Sequence, residues 1–294
     1  MDANATPFQT RITHFCPPID ACRLPFAIGS ATQHRPSAVV DCHNSQDAAS
    51  VIISKDHMVA VITDGCSSTH PLLEPSCHSS NEVGAKVMAQ LISNSVLRIV
   101  MKHPRLSEEA LLKKLNHQVA TALKSLLRTF CGNDPVRREL FIFDFLMTTV
   151  IGLVVSDARY LVFHSGDGVV AVNGEINNLD SDAGEYFAND LVVRSDAGNG
   201  APFVSRGSLK SCSVGRTSDL KSIFLATDGL SRLATNHTDV LREFALAVPS
   251  QGQAENGFDF LLQEFRQRVA WNSDVRLILD DDATFVLLRR IRTE

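Results

Sequence analysis

Two apolar runs in this chain stop at the same tripeptide: Val59-Ala60-Val61-Ile62-Thr63-Asp64-Gly65 and Ile223-Phe224-Leu225-Ala226-Thr227-Asp228-Gly229. Short apolar runs of this kind read as buried strands. A buried strand that ends on Asp and turns on Gly sets a carboxylate at a sheet edge with open backbone beside it. Gly166-Asp167-Gly168 follows a third such run, and Asp281-Asp282 precedes a fourth. A fold that aligns these ends gathers carboxylates at one place. Oxygen-rich clusters of that type bind hard divalent cations.

The remaining elements limit how the strands can be arranged. Strands are predicted near 50–54 and 58–63, around the polar turn Lys55-Asp56-His57. Met88, Leu91, Ile92, Val96, Ile99 and Val100 recur at helical spacing between Asn81 and Val100. A second helix is predicted after Ser107, an N-cap with Glu108 and Glu109 in the first turn, along Leu111, Leu115, Val119, Ala122, Leu126 and Phe130. Pro104 separates the two helices, so they are expected to form an antiparallel hairpin. Strands follow at Phe145 to Val155, Tyr160 to His164 and Val169 to Val172, the last turning at Asn173-Gly174.

Residues 177–220, rich in Gly, Ser, Asn and Asp, read as an irregular flap. After the 223–227 strand come helical patterns at 238–247 and 257–270, and Thr284 to Leu288 is the closing strand. The first 35 or so residues, broken by Cys16-Pro17-Pro18 and Arg35-Pro36, add an edge strand or wrap the domain. This order lacks βαβ alternation, which disfavours a doubly wound parallel sheet. An α+β fold is expected instead: a four-layer α-β-β-α sandwich, with two antiparallel sheets flanked by helical hairpins.

Composition removes several function classes. The 294 residues carry 33 Asp and Glu against 28 Lys and Arg, a net charge of -5, so no basic field is present to attract nucleic acid. No apolar run approaches the roughly 20 residues of a membrane span. The first residues have neither the basic nor the apolar region of a signal peptide. The seven cysteines are scattered and form no CxxC pair, which points to reduced thiols and a cytoplasmic protein.

The candidate ligands are Asp47, Asp64, Asp167, Asp228 and Asp281, with a backbone carbonyl available from Gly65. Two carboxylates ~4 Å apart repel by about 4 kcal/mol at an effective dielectric near 20, so four or five together require cations. With no His or Cys pattern beside them, Mg²⁺ or Mn²⁺ is favoured over Zn²⁺. Two such ions can activate a bridging hydroxide for in-line attack on phosphorus. Asp282 is read as a local cap and Asp280 as solvated.

In order, Ser45-Gln46-Asp47-Ala48, Ala60 to Gly65, Ser165-Gly166-Asp167-Gly168, Ala226-Thr227-Asp228-Gly229 and Asp281-Asp282-Ala283-Thr284 resemble the motifs of metal-dependent type 2C protein phosphatases. The first motif is most similar to that of the bacterial branch, and the resemblance spans residues 29 to 290. It implies one domain covering 1–294, with residues 1–28 as an extension or edge segment. The implied activity is hydrolysis of phosphoserine and phosphothreonine in proteins that a cognate kinase phosphorylates.

The resemblance also implies roles. Asp64 would bridge two metals, Gly65 would give its carbonyl to one, and Asp228 and Asp281 would complete the other. Asp47 would ligate or stand behind the ligands, and Asp167 with Asp228 would hold a third, weaker ion. The chain departs from the pattern at Cys42, where many members carry a phosphate-binding arginine; His43 and Arg35 are the candidate substitutes. It departs again at Cys66-Ser67-Ser68 and over Thr69 to Ser80, where a general-acid histidine and a glycine-rich turn are replaced. Two other readings stay open: a catalytically weak member acting as a regulatory binding module, and a phosphatase of a small phosphorylated metabolite.

Overall fold

The computed structural model describes residues 22–33, 46–66, 80–179, 184–191, 207–247 and 282–291. Among these, the strands form two five-stranded sheets in which every pairing is antiparallel. One sheet runs β2 (Asp47–Ile53), β3 (His57–Gly65), β4 (Thr148–Ser156), β5 (Arg159–Ser165) and β8 (Lys210–Arg216). The other runs β1 (Phe26–Gln33), β10 (Ala283–Arg290), β9 (Ser222–Ala226), β6 (Val169–Val172) and β7 (Glu175–Asn178).

Alternation along the central strands explains why their sequences are continuously apolar. In β3, Met58, Ala60 and Ile62 join a core shared with Ile223 and Leu225 of β9 and with Val286 and Leu288 of β10. The intervening Val59 and Val61 pack outward against helices α1 (Asn81–Lys102) and α2 (Glu108–Cys131). On the far side, Phe224, Phe285 and Leu287 pack under α4 (Ser231–Asn236) and α5 (Thr238–Leu246). Three apolar cores thus separate four layers, and a strand buried on both faces has no polar side to show. No helix among the described residues is long and apolar enough to cross a membrane.

The expected α+β sandwich is present, with local corrections. Ser107 caps α2 as expected, its Oγ accepting from the Ala110 N–H at 3.3 Å. The buried stripe of α2, however, continues through Leu123, Leu127 and Cys131, not Ala122, Leu126 and Phe130. Successive steps of four residues carry the contact along one face, and Phe130 is left exposed. Phe145 does not open a strand. The chain stays helical through α3 (Pro135–Phe141) and a π-helical turn (Ile142–Leu146), and β4 begins only at Thr148. Gly84 of α1 permits this, since a Cβ there would lie 1.3 Å from the Phe145 carbonyl oxygen.

Within 177–220, which reads as irregular, the structure contains a 3₁₀ turn (Phe187–Leu191) and the edge strand β8. The short helix α4 and strand β7 are further elements that the sequence pattern does not mark. The Asn173-Gly174 turn has φ of 53° and 84°, the paired positive values of a two-residue hairpin loop. The N-terminal segment supplies an edge strand, β1, paired with β10. The helical pattern at 257–270 lies outside the described residues.

Candidate active site

The strand registers bring the acidic motifs to one end of the sandwich. Asp47 opens β2 directly across from Asp64 near the end of β3, and Gly65 pairs with Thr148 where β4 begins. In the opposite sheet, Ala226 pairs with both Phe285 and Val169. Asp228, Asp282 and Asp167 therefore sit just past a common row. The chain changes sheets between β5 and β6 through Gly166 and Gly168, whose φ values of +89° and +127° a side chain would strain.

Asp47 is the most deeply placed of these carboxyl groups. Thr227, from the second Thr-Asp-Gly, donates from Oγ1 to Asp47 Oδ2 at 2.8 Å and accepts from the Thr284 N–H at 2.9 Å. One threonine thereby ties β9, β10 and β2 together. Burial pushes the Asp47 carboxyl up to about 7; hydrogen bonds to Asp64 and Thr227 oppose the shift, while the charges of Asp282 and Asp228 add to it. Burial and like charge thus favour the protonated form of Asp47 below about 7. The Cys66 thiol is raised well above its ordinary value by burial and by Asp64, Asp167 and Asp228. The carboxylates near Asp47 thus also surround Cys66.

The turn after β3 is fixed by a residue that sequence reasoning passes over. Asn81, fully buried at the start of α1, donates from Nδ2 to the carbonyls of Cys66 and Phe143, and its Oδ1 accepts from the Met147 N–H at 3.1 Å. The Gly65 N–H donates to the Gln46 carbonyl at 3.1 Å, and that of Cys66 to Met147 at 2.9 Å. A Cβ on Gly65 would stand 2.6 Å from the Asn81 carbonyl oxygen, so glycine is required by the approach of α1.

Of the sequence candidates, Asp47, Asp64, Gly65, Asp167 and Asp228 are brought together. Asp281, His43 and Arg35 lie outside the described residues. Asp282, read as a local cap, is buried and close enough to act on Asp47. Among the described residues, no three His, Cys, Asp or Glu side chains already form a ligand cluster. The donor set nonetheless fits a hard cation: carboxylates and a carbonyl, with burial and like charge raising Asp47 in a way that a bound cation would oppose. Sequence reasoning also misses Thr227 and Tyr186. Thr227 carries a visible signal in the repeated tripeptide; Tyr186 carries none.

A family model described as protein phosphatase 2C matches residues 36–264. No curated protein matches the chain. Solved structures with a similar fold include the serine/threonine phosphatase Stp1 from Staphylococcus aureus. It is 12% identical, with a TM-score of 0.52, and the alignment covers 96% of this chain and 100% of that one. A bacterial serine phosphatase is 12% identical with a TM-score of 0.52, covering 92% and 100%. The Mycobacterium tuberculosis serine/threonine phosphatase PstP/Ppp is 14% identical with a TM-score of 0.50, covering 91% and 99%.

Proposed function

The chain belongs to the protein phosphatase 2C family, and we propose that Asp47, Asp64, Asp167, Asp228 and Asp281, with the Gly65 carbonyl, are its metal-holding groups. It is a metal-dependent serine/threonine protein phosphatase, a hydrolase of phosphoric monoesters. In this reading Asp64, Gly65, Asp228 and Asp281 would hold two divalent ions, Mn²⁺ or Mg²⁺. Asp167 and Asp228 would hold a third. Bound divalent cations supply charge neutralisation and acidify water for in-line attack on phosphorus.

The chain's own residues position that chemistry. Asp64 is the penultimate residue of β3, and Asp228 opens the 3₁₀ turn two residues after β9 of the opposite sheet, so the two strands set their approach. Thr227 fixes the Asp47 carboxyl by hydrogen bonding, and Asn81 fixes the backbone that follows Gly65. The observation that carries the reading is the gathering of Asp47, Asp64, Asp167 and Asp228 at one end of the sandwich by the strand registers.

The shift at Asp47 has a measurable consequence. The folded-state Asp47 is raised from 3.8 to about 7. Its contribution to stability is therefore fully present below pH 3.8 and is lost as pH rises through about 7. Metal-free protein is expected to lose stability across that window through this group. Mn²⁺ at pH 6 should release about one proton on binding, read by calorimetry in buffers of different ionisation enthalpy. Binding with no proton release would remove Asp47 from the metal centre.

Phosphorylated proteins are the substrate class, and a cognate Ser/Thr kinase is the proposed opposing partner. The described cysteines are all free thiols, which supports a reducing, cytoplasmic setting. A single domain covering 1–294, with its motifs over 29–290, is part of the same proposal. The discriminating experiment compares phosphothreonine peptides with small phosphorylated metabolites under Mn²⁺. Higher kcat/KM on peptides is expected; preference for a metabolite would contradict the protein-substrate assignment.

A further inference from the structure

Ionised carboxylates accept hydrogen bonds and donate none, and the same holds for a phosphomonoester dianion. A substrate phosphoryl group arriving at this acidic end therefore needs donors from the protein. Thr63 and Thr227 are spent on the Ala85 carbonyl and on Asp47. Tyr186 is placed differently. Its phenol makes a side-chain hydrogen bond with Cys66 and lies close enough to Asp167 and Asp64 to feel their charge.

The backbone around Tyr186 is anchored from several sides. Ser165 Oγ donates to the Glu185 carbonyl at 2.8 Å, and Lys210 pairs with the Glu185 carboxylate. The Asn189 N–H donates to the Tyr186 carbonyl at 3.0 Å, while Asn189 Nδ2 donates to Gly184 at 3.0 Å. Phe187, Ala188 and Leu191 are buried in the helix-side core. Gly207 passes so close that a Cβ there would lie 1.7 Å from the Tyr186 carbonyl oxygen. The side chain is thus half-buried on a fixed base beside the carboxylates, within the segment whose sequence reads as a flap.

We propose, on the phosphatase reading above, that Tyr186 donates its phenolic hydrogen to a phosphoryl oxygen of the bound substrate and seats the phosphate at this centre. A thiol is a weak hydrogen-bond partner, so exchanging Cys66 for a charged phosphoryl oxygen strengthens the bond the phenol makes. The phenol is neutral throughout the physiological range and remains a donor there.

The test is Tyr186→Phe, which removes one oxygen and keeps the ring. Binding of inorganic phosphate to the Mn²⁺-loaded protein is measured by calorimetry, alongside Mn²⁺ affinity, thermal stability and turnover of p-nitrophenyl phosphate. The expected result is phosphate affinity and KM each weakened about tenfold, the scale of a lost hydrogen bond to a charged group. Mn²⁺ affinity and melting temperature should not follow. Unchanged phosphate affinity would overturn the proposal, and so would a loss matched by weaker Mn²⁺ binding, which would mark a purely structural role. Because phosphate binding is read without turnover, an inactive wild type would sink the activity and leave this comparison standing. Equal affinities in an active enzyme would sink Tyr186 alone.

Discussion

Replacing Asp64 by Asn lowers Mn²⁺-dependent turnover by about a thousandfold, the upper range for removing one preorganised electrostatic group from a catalytic centre. The side chain keeps its shape, so β3 and its pairing with β2 and β4 persist. What is lost is the charge at the junction of the two sheets. The same substitution should raise the stability of the metal-free protein. Burial and neighbouring carboxylates already raise Asp47, and a neutral amide at 64 removes one charge from that crowded end while donating to Asp47. Loss of function with a gain in melting temperature distinguishes a charged centre from a fold defect. Retained turnover would remove Asp64 from the mechanism.

Gly229→Ala is expected to lower stability and turnover together. A Cβ at this position would lie 2.1 Å from the Asp282 carbonyl oxygen and 3.1 Å from the Ala283 Cβ. Those atoms belong to the backbone entering β10, which cannot yield as a flexible side chain would. Overpacking of this kind costs about 3 kcal/mol. The strain falls between Asp228 and Asp282, and a displacement of about 1 Å at such a group costs roughly a hundredfold in rate. Gly132→Ala is the control. A Cβ there meets nothing within 4 Å and only the φ of +62° is strained, at the far end of α2. It should cost about 1 kcal/mol and leave turnover unchanged. Equal stability losses in the two variants, measured by denaturant unfolding, would contradict the packing argument.

The parts of the molecule that are legible in the sequence are those whose environment is uniform. β3 and β9 lie between two apolar layers, so Val59 to Ile62 and Ile223 to Ala226 are apolar throughout. The edge strand β8, Lys210–Arg216, is buried on neither face and carries Ser, Cys and Gly, so no pattern marks it. Phe145 has the composition of a strand residue, yet it stacks on Phe141 at 4.7 Å inside a helical turn that Gly84 accommodates. Local propensity cannot register a contact made across that distance in sequence.

The site divides along the same line. Asp47, Asp64, Asp167 and Asp228 are visible because each ends or begins a strand beside a recognisable motif. Asn81 is not, because its side chain serves Met147, which joins it only in the folded chain. Tyr186 stands in a short turn held by Ser165, Asn189 and Gly207, which brings its phenol close enough to feel the charges of Asp64 and Asp167. The buried Asp282 is legible as a residue but not as a neighbour of Asp47.

If the carboxylates at the two Thr-Asp-Gly strand ends form one metal-dependent hydrolytic centre, turnover must follow the metal and both aspartates together. The direct test is hydrolysis of p-nitrophenyl phosphate by metal-stripped wild type, Asp64→Asn and Asp228→Asn proteins as Mn²⁺ is titrated in. The expected result is no turnover before metal, saturable turnover in wild type that a chelator reverses, and loss of that turnover in both variants. Turnover that survives the chelator, or that both variants retain in full, would contradict a shared centre.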